Sequence, residues 1–421
     1  MQETYDQPSA VVSQDAAIST SAKCPIDHAA ISAQKTTKFV ELPGPAIELA
    51  ADGVWHVRSF EAARAILRSP HTKQAGFNAE LIERIPGQRN SPILYQEGKA
   101  HQQQRKQTAR FFTPKAVSTS YRQLMEELSD ELIATLKRQK EVDLSRLTMK
   151  MAVRVAAEIV GLTDSRIPGM DKRIEAFFAG DLGGGSGKLI KKLQMIWNQR
   201  RMLSFFYFDV QPAIAARRRS PKQDVISHLL EQNYRDAEIL TECVTYGAAG
   251  MITTREFISA AAWHLLEQPA LRARYLIAPE EERYAILHEI LRLEPIVGNL
   301  QRRATADITL VDAGNEVVIP HNALINVHLH ASNSDESVVG EYPRVLCPGR
   351  EIQGDNIPEM LMSFGDGVHR CPGAYVAIQE TDIFLTRLLA LDTLRIKQKP
   401  SVSWSDLVTG YEIRDFVLTV D

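Results

Sequence analysis

Between Pro221 and Pro269 the chain runs without a proline, and the middle of that stretch, ILTECVTYGAAGMITTREFISAAAWHLL, is apolar on nearly every face. A helix of that kind cannot lie on a surface and should run through the core. From about residue 98 to residue 293 helical patterns dominate. After residue 295 the hydrophobic period switches towards two: ITLVDAGNEVVI reads as a hairpin and ALINVHLHAS as a further strand. Helix returns once, over about 372–390. Near the start, AIELAADGVWHV reads as a hairpin around Asp52 and Gly53. SFEAARAILRSP follows as a helix capped by Ser59, with Phe60, Ala63, Ile66 and Leu67 facing inward.

A length of 421 residues suggests two or three domains, yet no break in composition divides the chain after residue 37. Residues 1–37 are rich in Ser, Ala, Gln and Thr without a sustained period, which reads as a mobile arm. A formal charge of -3 gives no reason to expect nucleic acid as a partner. No apolar run is long enough to span a membrane, and the first residues lack the basic end and apolar stretch of a secretory signal, so the expectation is a cytoplasmic protein. Four scattered cysteines read as free thiols, Cys243 among them as a small buried hydrophobe. Two loops stand out. GDLGGGSGK at 180–188 is flexible by its glycines, and 75–100 is a long connection carrying apolar side chains, as loops that cover ligands do.

Cys371 lies in SFGDGVHRCPGAYVA, a glycine-dense turn leading straight into a helix. Such a turn aims amide N–H groups at the sulfur and favours a thiolate. On these grounds it reads as a nucleophile, a redox sensor or a metal ligand. His369, two residues away, is poorly placed as a base. No CxxC or CxxCH pattern accompanies it.

FGDGVHRCPGAYVA resembles the haem-binding signature of the cytochrome P450 family, F-G-x-G-x-H-x-C-x-G-x-x-x-A, through Phe364, Gly365, Gly367, His369, Cys371, Gly373 and Ala377. The resemblance implies that Cys371 is the fifth ligand of the iron of haem b and pushes electron density towards O–O cleavage. HEILRLEP adds a second match, the family's E-x-x-R in Glu289 and Arg292, joined by Arg350 in CPGREI. The implied role of these three is structural. Haem propionates need cations and donors. The resemblance offers His101 and Arg105 of HQQQR, Arg302 with Arg303 as its neighbouring alternative, and His369. AAGMITT resembles the family's oxygen-side motif. Gly250 lets the helix approach a flat cofactor, and Thr253 can bond back to the carbonyl of Ala249 and bend the helix. The family's threonine orients a water during oxygen activation and the acid before it relays protons; here that acid is Ile252, leaving Glu256 or Glu242 as other sources.

By position in the family, the substrate pocket takes Phe77, Leu81 and Leu94 from the long loop, Tyr246, Ala249 and Gly250 from the central helix, then Ile296, Val297, Asn299 and Leu300, and finally Val408 and Thr409. A mostly apolar lining suits a mid-sized hydrophobic or aromatic molecule. The implied fold is mainly α (α+β): one haem-thiolate domain over 38–421, helical with small sheets and a long central helix over haem. Its implied activity is monooxygenation with O2 and two electrons from a separate ferredoxin and reductase, or flavodoxin. Lys106, Arg110, Lys115 and Arg370 would form the docking face. Oxidative coupling, or a non-catalytic haem sensor, stands as the alternative. A metal site on HNALINVHLH, using His321, His328 and His330, is a rival outside the family.

Overall fold

A computed structural model describes residues 35–36, 44–77, 79, 90–178, 188–312, 314–406 and 409–421, with side chains excepted over 188–196. Most of the expected arm, Leu81, Val408 and nearly all of the glycine loop at 180–188 lie outside these residues.

The early hairpin forms as β1 (Ile47–Leu49) and β2 (Trp55–Val57), antiparallel with Ile47 opposite Val57. Helix α1 (Phe60–Arg68) follows and buries Phe60, Ala63, Ile66 and Leu67 together with Ala62. Ser59 occupies its N-cap position but makes no side-chain cap. Asp335 Oδ2 instead accepts from the Phe60 N–H at 2.8 Å, so the orphan donor is satisfied from a distant loop. Strand β3 (Thr72–Gln74), helix α2 (Gly98–Thr108) and the short strands β4 (Asn299–Ala304) and β5 (Leu324–His328) complete the elements around the Cys371 loop. The sheet order is β1-β2-β5-β4-β3, with β2 and β5 parallel and the other pairs antiparallel. One register matters later: Gln74 on β3 stands opposite Arg302 on β4.

The central apolar segment runs as helix α3 (Asp236–Tyr246), a π-helical stretch Gly247–Ile252 and helix α4 (Thr253–Glu267). Its second half buries Phe257, Ile258, Ala260, Ala261, Ala262 and Leu265, which explains an apolar pattern without a polar face. Leu144–Val160 packs along it, as do α5 (Glu280–Leu293) and α6 (Ala374–Leu389). Apolar residues form a large helical cluster and a smaller one between α1 and the sheet. The later hairpin forms over Ile308–Asp312 and Asn315–Ile319. The strand expected over ALINVHLHAS stops at His328, and Leu329–Ser332 turns helical.

Two further expectations are corrected. Cys347 is disulfide-bonded, whereas Cys243 and Cys371 are free. At the end of the arm Thr36 is buried, its N–H donating to Glu294 Oε2 at 3.2 Å.

Candidate active site

The Cys371 loop is held at both ends by backbone geometry. The Cys371 N–H donates to the Phe364 carbonyl at 2.8 Å, and the Gly365 N–H to that of Met362 at 2.7 Å. Gly367 has φ +67°, and a Cβ there would stand 2.2 Å from the Leu67 carbonyl oxygen on α1, so only glycine fits. Asp366 fastens the same turn: it accepts from the Gly367 N–H at 2.7 Å and from Arg68 Nε at 2.8 Å.

Gly373 then leads into α6. By exposed area Cys371 is half-buried. Protein packed around the sulfur pushes the thiol above its ordinary value, against the N–H groups of Gly373 and Ala374 and the charges of Arg105 and Arg370. A sulfur in that state becomes a thiolate readily only when a cation binds it.

Four segments bring the expected cations and imidazoles to one place. The rings of His101 on α2 and His369 stack with centroids 4.2 Å apart. Burial, with the charges of His369 and Arg105, pulls His101 down to about 4, so its ring is neutral at pH 7. Arg302 is 3% exposed; burial pulls its guanidinium down to about 10, opposed by the charge of Glu97. Arg303 turns away and donates to the Asn322 carbonyl at 3.0 Å. Arg105 donates to the Arg370 carbonyl. Burial lowers the Arg105 guanidinium, opposed by the charges of the Cys371 thiol and the Tyr246 hydroxyl.

Two residues of this group carried no sequence signal. Glu97 Oε2 stands 3.0 Å from His369 Nε2, and Glu97 Oε1 accepts from the Gln74 N–H at 2.8 Å. The Gln74 side-chain oxygen accepts from Arg302. Burial raises the Glu97 carboxyl, but the His369 and Gln74 hydrogen bonds and the Arg302 charge outweigh it and hold Glu97 below its ordinary value.

On the central helix, Thr253 Oγ1 donates to the Ala249 carbonyl at 2.6 Å, at the end of the π-helical stretch. A hydroxyl that takes a main-chain carbonyl in this way loosens the helical ladder. A Cβ on Gly250 would meet only Ala156 Cβ, at 3.8 Å. Ile252 is buried. Glu256 is fully engaged by Arg255, Arg414 and the Ile413 N–H, which removes it as a proton source. Glu242 differs: one oxygen accepts from the Ile93 N–H at 3.0 Å and from Gln104 at 2.9 Å, and the other is buried and without a hydrogen-bond partner among the described residues. Burial pushes its carboxyl up to about 7 despite those two bonds.

Among the residues expected around a substrate, hydrogen bonds tie down Phe77 and join Thr409 to Asn299. The Tyr95 hydroxyl, beside Leu94, donates to the Phe77 carbonyl at 2.7 Å. Thr409 Oγ1 donates to the Asn299 carbonyl at 2.8 Å, and the Thr409 carbonyl accepts from the N–H groups of Gly298 and Asn299. Phe77 and Thr409 both hold positive φ, 57° and 46°, a strained conformation for a bulky or β-branched residue. Val297 bridges to Gly410, where a Cβ would stand 1.9 Å from the Ile296 carbonyl oxygen. Leu300 packs against Gly365 in the cysteine loop, Ile296 is buried, and Tyr246 stacks on Phe112 at 6.2 Å.

The Glu289 carboxylate pairs with Arg292 at 2.7 and 2.9 Å and with Arg350 at 3.3 Å, and takes the Cys347 N–H at 2.9 Å. The rival histidine site does not assemble. His328 meets His56 at 2.7 Å, the His321 N–H donates to Asp307, and His330 lies in the helical turn. Among the described residues no group of three or more metal-ligating side chains forms there.

A free thiol in a glycine-held loop, a π-helical stretch ending at a threonine hydroxyl, and guanidinium groups beside two imidazoles are donors of the kind a haem takes. A family model described as Cytochrome P450 matches residues 284–403. Cytochrome P450 107B1 of Saccharopolyspora erythraea is 27% identical over 385 residues, covering 85% of this chain and 87% of its own length. Erythromycin C-12 hydroxylase of the same organism is 27% identical over 355 residues, covering 80% and 82%. The structure of a P450 EryK mutant in complex with erythromycin B superposes with a TM-score of 0.70 at 22% identity, covering 89% of this chain and 92% of that one. The cysteine loop, the matched family model and the relatives agree: the chain is similar to cytochrome P450s over most of its length, and over 284–403 it matches their family model.

Proposed function

We propose that residues 38–421 form one catalytic domain that oxidises a mid-sized hydrophobic or aromatic molecule with O2 in the cytoplasm, using two electrons from a separate ferredoxin or flavodoxin. The observation that carries this reading is the convergence on the Cys371 loop of His101, whose ring stacks on that of His369, and of Arg105, which donates to the Arg370 carbonyl; haem b would lie beside them, between that loop and the central helix. Cys371 would ligate its iron; His101, Arg105, Arg302 and His369 would hold its propionates. When bound, the haem supplies the iron chemistry that activates O2, with electron density donated by the thiolate.

The other roles belong to the chain. Thr253 spends its proton on the Ala249 carbonyl, which leaves its oxygen free to accept a hydrogen bond and hold a water in place. The Ile252 side chain keeps the next position dry. Phe77, Leu94, Tyr246, Ile296, Val297 and Leu300 supply apolar contact, and Asn299, whose Oδ1 is buried and without a partner among the described residues, offers an acceptor to orient a substrate N–H or O–H. The relative named for C-12 hydroxylation of erythromycin supports a hydroxylation of this kind. Lys106, Arg110, Lys115 and Arg370 are all exposed and form the face for an acidic electron donor.

The test is spectroscopic. Purified chain loaded with haem, reduced with dithionite and exposed to carbon monoxide should give the red-shifted Soret band of a thiolate-ligated haem, and Cys371→Ser should abolish it. A nitrogen-ligated spectrum from fresh, folded protein refutes the reading.

A further inference from the structure

We infer that the outer face of the helix Lys188–Phe205 and of the π-helical turn that follows it docks on an anionic lipid surface. The face lies outside the residues given roles above, so the contact stands whether or not the oxidation reading holds.

Trp197, Arg200, Leu203 and Tyr207 follow one another three, three and four positions apart, so they share one face of the helix and of its π-helical continuation Phe206–Val210. That face is turned to solvent. Trp197 and Leu203 are each 59% exposed, Tyr207 is 54% exposed, and Arg200 is exposed with them. Phe205 and Val210 are buried in the large helical cluster, so the segment already has its inward face, and the apolar side chains outside are left over. The neighbouring loop widens the stripe. It brings Ile167, 43% exposed, and Arg166, whose N–H donates to the Phe208 carbonyl at 2.8 Å and whose guanidinium lies 3.9 Å over the Tyr207 ring.

Charge decides the kind of partner. The helix carries Lys188, Lys191, Lys192, Arg200 and Arg201 and no acid, in a chain whose formal charge is -3. The carboxylates nearby are already engaged: Asp164 and Asp224 by Arg217, Asp209 by Arg173, and Asp236 by Arg218. Arg166 donates to the Gln211 side-chain oxygen at 3.0 Å. Among the described residues Arg166, Arg200, Arg201 and Arg219 have no carboxylate partner, and Arg166 and Arg219 line the same surface depression. Unopposed cations beside exposed rings call for an anionic partner.

The arrangement favours lipid over an acidic protein. Protein interfaces keep charge at the rim and apolar side chains at the centre, whereas here arginine alternates with tryptophan, leucine and tyrosine along one stripe. A headgroup layer suits that alternation, because guanidinium groups meet phosphates there while the rings and the leucine enter the boundary below. No helix among the described residues is long and apolar enough to cross a membrane, so the chain rests on the surface.

The experiment sediments the purified chain with vesicles of phosphatidylcholine, alone or mixed with phosphatidylglycerol, and records tryptophan emission. Wild type should pellet with the anionic vesicles, stay in solution with the neutral ones, and come off as salt is raised. Emission should move to shorter wavelength on binding, and Trp197→Phe, which leaves Trp55, Trp263 and Trp404 in place, should lose that shift. Arg200→Glu combined with Arg201→Glu should weaken binding by roughly tenfold or more, and Leu203→Ser by several-fold. None of the three residues is buried, and a wild-type circular dichroism spectrum checks that each variant is folded. Wild type that does not pellet with the anionic vesicles, or charge-reversed protein that pellets as well as wild type, overturns the proposal. Salt-sensitive binding to polyglutamate without binding to vesicles also overturns it, in favour of an acidic protein.

Discussion

Replacing Glu289 by alanine removes the one anion among two guanidiniums. Arg292 is wholly buried and gives Nε and Nη2 to Glu289, while Nη1 reaches the carbonyls of Asn333 at 2.7 Å and Pro343 at 2.8 Å. Arg350 spends its remaining donors on the carbonyls of Val339, Glu341, Tyr342 and Val345. Without the carboxylate both cations keep their carbonyl partners and lose their counter-charge. Breaking a buried pair from one side costs about 3–5 kcal/mol, against a total stability of about 5–15 kcal/mol for a folded domain. Glu289→Ala should therefore lose about a fifth or more of the stability, read as a lower urea midpoint with an unchanged slope in far-UV circular dichroism. Glu289→Gln keeps the shape and one acceptor oxygen and should fall between alanine and wild type. A loss under about 1 kcal/mol for alanine, the scale of an exposed ion pair, would refute the argument, because it would mean that water reaches the triad.

Gly367→Ala sets a Cβ 2.2 Å from the Leu67 carbonyl oxygen; overpacking of that kind costs about 1–3 kcal/mol, and a lowered melting temperature with reduced haem content is expected, whereas a wild-type melt and full loading would count against it. Glu242 has its carboxyl raised from 4.5 to about 7 by burial. The folded chain thus binds a proton that the unfolded chain has released between those values, so stability present at lower pH is lost as pH rises through the window, on the order of 3 kcal/mol; Glu242→Gln should flatten stability against pH there, and an unchanged slope contradicts it. Thr253→Ala frees the Ala249 carbonyl and removes the hydroxyl; it should divert electrons from product to peroxide by roughly tenfold or more, measured as product and peroxide formed per reductant, with no change as the refuting result.

Features with a strong local period were readable. The apolar faces of α1 and of the central helix, and the Asp52-Gly53 hairpin, announce themselves because each is dictated by neighbours along the chain. The family motif likewise foretold the hydrogen bond of Thr253 to Ala249. What stayed hidden was long-range: Asp335 in place of Ser59 as the cap donor's partner, and Glu97 beside His369, 272 positions away. A carboxylate at the mouth of a helix looks like an ordinary N-terminal acid until the sheet register brings Gln74 and Arg302 together. Glu256 illustrates the reverse error. One turn from Thr253 it looked available for proton transfer, and only the fold reveals Arg255 and Arg414 locking it.

The structural triad and the thiol are also mechanically joined, which a residue-by-residue division into scaffold and site conceals. Arg292 holds the Asn333 carbonyl; the Asn333 side chain donates to Ser363 Oγ at 2.9 Å and accepts from the Met362 N–H at 3.0 Å. Ser363 in turn donates to the Leu291 carbonyl on α5. Met362 receives the Gly365 N–H, and Phe364 receives that of Cys371. The buried ion pair on α5 is thus tied through Asn333 to the 362–371 loop by hydrogen bonds, which the loop's own backbone carries on to Cys371, and the far end is clamped by Asp366 to α1. Loosening Glu289 should release the first of those anchors. Haem loss from Glu289→Gln ought then to quicken even at a urea concentration where circular dichroism still reports a folded chain, because the loop frees itself before the helices do. Haem loss that tracks global unfolding step for step would mean that the clamps at Asp366 and α6 suffice to hold the sulfur on their own.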